Sequence, residues 1–281
     1  MADDFDPRTV PVRPAATVMM VRDRDGHDGI EVFMLRRTGR ATFGAGMYVF
    51  PGGRVDDVDG AAAIEPFCRG LDDANASAQM RLEAGGLAYW VASIRECFEE
   101  AGILLATKRD GSELVLNADD RHAVHDGTLS MAELCRRDDL VLELSTTQYV
   151  DHWITPMGEN RRFDTRFFVT EAPAGQEGVH DDKETVDSLW VSPADALSMM
   201  EAGELQMMPP TVANLTWLAQ HASAADAVAA GEALTDISPV LPKLKRDENG
   251  KFIGISRPGD DDYLTLDVDD PELAKYPELQ A

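Results

Sequence analysis

Arg95-Glu96-Cys97-Phe98-Glu99-Glu100-Ala101-Gly102-Ile103 places three carboxylates on one helical face and stops at a glycine. Residues three and four apart are neighbours on a helix surface, so Glu96, Glu99 and Glu100 crowd together instead of dispersing into solvent. Like charges at this spacing repel. The arrangement becomes favourable around a hard divalent cation, because Mg²⁺ and Mn²⁺ take carboxylate and water oxygens and leave positions open for substrate phosphate. Leu87, Val91, Ile94 and Phe98 recur at helical spacing on another side and supply a stripe for burial against a sheet. An arbitrary Glu-rich helix is ordinarily a solvated acidic face. Here the context argues otherwise: Phe50-Pro51-Gly52-Gly53 is a strand end running into a double glycine, and Ala101-Gly102 closes the helix ahead of the apolar Ile103-Leu104-Leu105.

With these features the chain resembles the Nudix hydrolases, whose box reads G-x5-E-x7-R-E-U-x-E-E-x-G-U, with U a bulky aliphatic. The second half matches at every fixed position except the U after Arg-Glu, where Cys97 stands in as a small hydrophobe. The resemblance implies an α/β fold, a Nudix-type α/β/α sandwich with a mixed central sheet. It also implies water attack on a diphosphate linkage assisted by Mg²⁺ or Mn²⁺. Glu96, Glu99 and Glu100 then bind metal, Arg95 orients them, and Glu184 is the best downstream carboxylate. The general base stays open, since family members place it differently. The first half departs from the pattern. Counted back from Arg95, the first glutamate falls at Leu87; Glu83 is the nearest upstream carboxylate, and residues 54–86 read as an acidic, Gly- and Ala-rich insertion. An interrupted box of this sort resembles the subgroup containing the peroxisomal coenzyme A diphosphatases, and it leaves the usual partner of Arg95 unassigned.

Arg36, Arg37 and Arg40 form the densest basic cluster, just before Gly44-Ala45-Gly46 and the double-glycine turn. Guanidinium forks suit bidentate phosphate contacts. The coenzyme A subgroup carries a signature similar to L-L-T-x-R-[SA]-x3-R-x3-G-x3-F-P-G-G. Arg37, Gly46 and Phe50-Pro51-Gly52-Gly53 match it, whereas Thr38 replaces the small residue and Thr42 the second arginine. Arg37, Arg40, Gly52, Gly53 and Arg166 are the candidate substrate contacts, the glycines because a backbone without side chains approaches phosphate or metal closely. In Arg162-Phe163-Asp164-Thr165-Arg166-Phe167, strand alternation sends Arg162, Asp164 and Arg166 one way and the other three the opposite way. Arg166 is then either a phosphate contact or a structural partner of Asp164, with the scarcity of arginine favouring phosphate. The six histidines share no ligand spacing and read as surface or core residues. His180 alone, beside Asp181, Asp182 and Glu184, is placed to face a catalytic loop.

The formal net charge of −25 argues against nucleic acid, which needs basic stripes. Cys68, Cys97 and Cys135 form no C-x-x-C pair, so neither a zinc knuckle nor a disulfide framework is indicated and a reducing cytoplasm is the simplest compartment. No apolar run is long enough to span a bilayer. Strands are expected at 15–21, 30–35, 47–50, 146–153, 163–170 and 188–191, with strand character in the tail only around 252–255, and helices near 131–136, from Pro193 behind a Ser192 cap, and over 211–221. A single domain follows, with a core over 11–205, the insertion over 54–86 and a C-terminal helical extension over 206–281. The expected partner is a small-molecule diphosphate, with a homodimer left open. Coenzyme A derivatives, nucleotide sugars, dinucleotide polyphosphates and NADH all stay in view as substrates. The competing expectation is a Nudix-fold nucleotide-binding module without turnover, favoured by Leu87 at the place of the first box glutamate.

Overall fold

Alternation along the first strand sets the layering. Val18 and Met20 belong to one buried cluster and Met19 and Val21 to another, so the sheet is covered on both faces. The computed structural model describes residues 6–41, 44–60 and 62–280; Thr42 lies outside the described residues. In chain order the strands are β1 (Val12–Asp23), β2 (Ile30–Arg37), β3 (Tyr48–Val49), β4 (Gly52–Arg54), β5 (Cys68–Arg69), β6 (Ala106–Lys108), β7 (Leu140–Glu143), β8 (Gln148–Ile154), β9 (Arg162–Glu171), β10 (Thr185–Val191), β11 (Lys243–Arg246) and β12 (Phe252–Ser256). The helices are α1 (Asp73–Gln79), α2 (Leu87–Ala101), α3 (Ala118–His125), α4 (Met131–Asp138), α5 (Pro193–Glu201), α6 (Pro209–Leu218) and α7 (Ala224–Glu232).

The main sheet runs β10-β2-β1-β9-β8, with β3 on β2 and β4 on β1. It is mixed: β1 and β9 pair in parallel from Val12–Arg162 to Val21–Glu171, and the other pairings are antiparallel. One face packs on α2, where Trp90, Ile94 and Phe98 meet Val18, Phe33 and Phe168. The other face carries α5, α6 and α7, with Ala196, Leu215, Leu218 and Ala227 against Met19, Val32 and Met34. This is the α/β/α sandwich expected from the sequence. Each large aliphatic or aromatic side chain so buried contributes about 1.5–3 kcal/mol.

Several elements differ from expectation, for identifiable reasons. The anticipated strand over 47–50 breaks at Pro51: β3 pairs with β2, and the chain then steps across to pair β4 with β1. The strand expected at 146 starts at Gln148, because Leu144–Thr146 forms a 3₁₀ turn. The insertion and the segment after α2 share a small sheet, β5-β7-β6, whose strands are too short to show alternation. Beyond α7 the extension leaves helix: β12 takes up the strand character expected around 252–255, and β11, which was not expected, pairs with it as a hairpin ahead of a run of 3₁₀ turns. The helix α2 was expected to bury one stripe, yet fourteen of its fifteen residues are buried, so its carboxylate face is roofed as well.

Candidate active site

Both ends of α2 are fixed by residues with a clear physical role. Its first turn has no side-chain N-cap of its own. Asp73, on α1 in the insertion, accepts from Leu87 N and Gly85 N at 3.0 Å each, and Ser77 Oγ accepts from Gly86 N at 2.9 Å. These bonds satisfy donors that a helix start leaves orphaned, and the Gly85 and Leu87 N–H groups hold the Asp73 carboxyl below its usual range. At the other end Gly102 adopts φ +69° and its N–H returns to Phe98 O, a left-handed cap that glycine takes without strain. Between these ends the box sequence presents its carboxylates to the double-glycine turn.

The turn is pressed onto them. A Cβ on Gly53 would lie 2.5 Å from Glu96 Oε1, and one on Gly52 would lie 2.5 Å from Ala16 O and 2.6 Å from Thr17 Cα. Gly52 N donates to Glu100 Oε2 at 2.9 Å. Burial pushes the Glu100 carboxyl up to about 8, against the opposing pull of the Gly52 N–H and the Arg37 charge, while Glu184 and Asp181 add to the rise. Burial likewise raises Glu96 and Glu99 above the usual carboxylate range, with Arg95 opposing in both cases. A cluster of this kind is short of positive charge, and its hard oxygen donors fit Mg²⁺ or Mn²⁺. Among the described residues, no three histidine, cysteine, aspartate or glutamate side chains already stand in a metal-holding arrangement. Glu96 and Glu99 are turned to Arg95 and Glu100 to Gly52, so rotation of these side chains has to bring their oxygens onto an ion.

Arg95 has a partner that counting back along the chain misses. Its Nε and Nη2 donate to Asp59 Oδ1 and Oδ2 at 2.8 and 2.9 Å, Nη2 also donates to Arg54 O at 2.8 Å, and Nη1 reaches Glu96 at 2.9 Å and Glu99 at 3.1 Å. Burial alone would lower this guanidinium, and Asp59, Glu96 and Glu99 together hold it above the usual arginine range. Asp59 is 1% exposed and closes a turn by accepting from Asp56 N. Counted forward from Gly53 with the box's own five-residue spacing, the first acidic position is Asp59. An aspartate thus stands where the pattern has glutamate, and thirty-five residues separate it from Arg95 where the pattern has seven. Leu87, the position reached by counting back, is a buried core residue, and Glu83 is exposed with no part in the Arg95 network.

The other candidates fall into three places. Arg37 and Glu184 form a rim beside Glu100, with Arg37 Nη2 3.8 Å from Glu184 Oε2, and Arg37 Nε is buried without a hydrogen-bond partner among the described residues. Arg40 is exposed and makes no hydrogen bond or ion pair among the described residues. Arg166 is 2% exposed; it lies 3.0 Å from Asp164 Oδ1 and faces the rings of Tyr89 and Tyr149, beside the first turn of α2 and not its carboxylate half. Asp164 also meets His152 Nε2 at 2.6 Å, and Arg162 is buried against Asp270, so the polar face of β9 is covered by α2 and the C-terminal tail. His180 engages Ser188 and Asp182. The histidine that approaches the carboxylates is His125, with Nδ1 3.8 Å from Glu99 Oε2, and nothing in the local sequence marks it.

A family model described as the NUDT19 Nudix domain matches residues 72–218. The chain belongs to this Nudix family. Acyl-coenzyme A diphosphatase NUDT19 of Gallus gallus is 28% identical over 274 residues, covering 79% of this chain and 72% of the relative. The Homo sapiens protein of the same name is 27% identical over 277 residues, covering 84% and 73%. Among solved structures, a Nudix hydrolase from Alicyclobacillus acidocaldarius superposes with a TM-score of 0.67 at 27% identity, covering 79% of this chain and 97% of that one. The chain is a Nudix pyrophosphohydrolase, an enzyme class that acts on small-molecule diphosphates and needs divalent metal ions. Among the described residues no helix is long and apolar enough to cross a membrane.

Proposed function

We propose that this Nudix enzyme hydrolyses the diphosphate of coenzyme A or an acyl-coenzyme A. The observation that carries the proposal is the box closed across its insertion, with Asp59 and Arg95 fixing Glu96 and Glu99 beneath the Gly52–Gly53 turn. The feature that favoured a module without turnover was a missing first carboxylate, and Asp59 supplies one. Support for the substrate comes from relatives named acyl-coenzyme A diphosphatases and from Arg37, the matched arginine of the coenzyme A signature, whose charge reaches Glu100.

Glu96, Glu99 and Glu100 hold Mg²⁺ or Mn²⁺ on this proposal, with Glu184 at the rim. Bound there, the ions neutralise phosphate oxygens and lower the pKa of coordinated water. The protein's own part is positioning, since phosphoryl transfer asks for little covalent chemistry from side chains. Arg95 sets the angle of Glu96 and Glu99, the bare backbone of Gly52 and Gly53 leaves room above them, and Arg37 offers its fork to the diphosphate. In the net reaction one phosphorus gains the water oxygen and the bridging oxygen leaves with the other, giving 3′,5′-ADP and 4′-phosphopantetheine or its acyl form. The three cysteines are free, which suits a reducing cytoplasm, and the insertion and extension are taken as parts of one domain. Ranking kcat/KM for coenzyme A, an acyl-coenzyme A, NADH, ADP-ribose and a dinucleotide polyphosphate in Mg²⁺ and in Mn²⁺ tests the proposal. Coenzyme A species at the top support it, and any other diphosphate at the top rejects the substrate.

A further inference from the structure

We infer that His125 is a nitrogen ligand of the metal centre, acting beside Glu99, and that it biases the centre from Mg²⁺ towards Mn²⁺; this rests on the assignment of Glu99 as a metal ligand. Glu99 uses one oxygen for protein: Oε1 accepts from Arg95 Nη1 at 3.1 Å. Its other oxygen, Oε2, faces His125 Nδ1 at 3.8 Å. That separation is too long for a hydrogen bond. Two donors in adjacent positions on one octahedral ion stand roughly 3 Å apart, so a small rotation of Glu99, of the kind the site already requires, brings both onto an ion.

The imidazole nitrogen that faces Glu99 has no hydrogen bond of its own among the described residues. Nδ1 is also shielded from solvent, an unfavourable state for a ring nitrogen unless something binds it. His180, by contrast, engages both ring nitrogens, Nδ1 with Ser188 Oγ at 3.2 Å and Nε2 with Asp182 at 3.1 Å.

The position of His125 is moored on both sides. One turn earlier on α3, Arg121 donates Nε to Glu99 O and Nη2 to Val179 O, both at 2.9 Å. Just after the helix, Asp126 accepts from Lys183 Nζ at 2.8 Å. Successive turns of α3 therefore address the backbone and the carboxylate of the same residue of α2, and they tie both to the loop that carries Glu184. Mn²⁺ and Mg²⁺ both prefer oxygen donors, but Mn²⁺, a first-row transition ion, accepts an imidazole nitrogen more readily than Mg²⁺, which keeps to oxygen and water.

Pulsed EPR on the Mn²⁺-loaded full chain tests this directly. The expected result is nitrogen modulation of the Mn²⁺ echo that changes when ¹⁵N-histidine is incorporated and disappears in His125→Gln. Mn²⁺ affinity should fall on the order of tenfold or more in that variant, with Mg²⁺ affinity changed far less. The ¹⁵N-histidine comparison needs no substitution, so it stands even if His125→Gln folds poorly. Mn²⁺ bound without nitrogen coupling, or coupling that survives His125→Gln, overturns the inference while leaving the metal site intact. Failure of Mn²⁺ to bind at all, read by titration of its free EPR signal, overturns the metal assignment and this inference together.

Discussion

Replacing Asp59 with alanine removes the carboxylate that, among the described residues, holds Arg95 from outside α2 with two hydrogen bonds, at 2.8 and 2.9 Å, and leaves Asp56 at 3.8 Å. Both side chains are buried, Asp59 at 1% and Arg95 at 8% exposure. Breaking a buried pair by deleting one partner costs about 3–5 kcal/mol, because the remaining charge stays desolvated. Arg95 retains Glu96, Glu99 and Arg54 O, which places the expected loss at the lower end, about 3 kcal/mol. For a chain of this size that is a fall in Tm of roughly 5 °C. The guanidinium then leans more heavily on Glu96 and Glu99 and competes for the oxygens a metal needs, so kcat should drop at least about tenfold and saturating Mn²⁺ should restore part of it. Asp59→Glu restores the family's residue and keeps the pair, so it should lose stability through overpacking, about 1–3 kcal/mol, while retaining most of kcat. Thermal melts and steady-state kinetics on the two variants decide the matter. An Asp59→Ala protein within about 0.5 kcal/mol of wild type, with kcat unchanged, would refute the role given to Asp59, since changes of that size belong to surface positions.

Gly53→Ala puts a methyl 2.5 Å from Glu96 Oε1, so metal affinity and kcat should both fall with little change in Tm; an active, normally metal-binding variant would contradict the packing of the turn on Glu96. Glu100 has its folded-state carboxyl raised to about 8, so the metal-free protein holds this contribution in full below the unfolded value near 4.5 and loses it as pH climbs towards 8. Glu100→Gln should remove up to about 4 kcal/mol of that slope, and Mg²⁺ should flatten the wild-type curve, as chemical denaturation at pH 5 and pH 8 would reveal. Arg37→Lys keeps charge and loses the fork, so KM should rise with Tm unchanged. Arg166→Lys disturbs a buried pair and two ring contacts, so Tm should fall; a raised KM at unchanged Tm would place Arg166 on substrate instead.

The helix from Leu87 to Gly102 is legible because its chemistry is local: periodicity, the carboxylate triplet and the left-handed glycine stop all lie within one element. The first half of the box is legible only in one direction. From Gly53 to Asp59 the chain makes a short turn whose length the pattern sets, whereas counting back from Arg95 crosses the insertion and lands on the core residue Leu87. The burial of Arg162 and Arg166 could not be read, because Asp270 and Tyr276 cover that face of β9 from the far end of the chain. Strands of two or three residues such as β4, β5 and β6 carry no alternation to detect. The approach of His125 to Glu99 comes from how α3 docks on α2, a tertiary fact with no trace in spacing.

Mass spectrometry of the purified chain with an acyl-coenzyme A, Mg²⁺ or Mn²⁺ and ¹⁸O-water tests metal-dependent cleavage of a coenzyme A diphosphate. The expected result is 3′,5′-ADP and acyl-4′-phosphopantetheine in equal amounts, one ¹⁸O on a single product, and no turnover in EDTA. Intact acyl-coenzyme A beside brisk hydrolysis of another diphosphate, or cleavage that persists in EDTA, would contradict it.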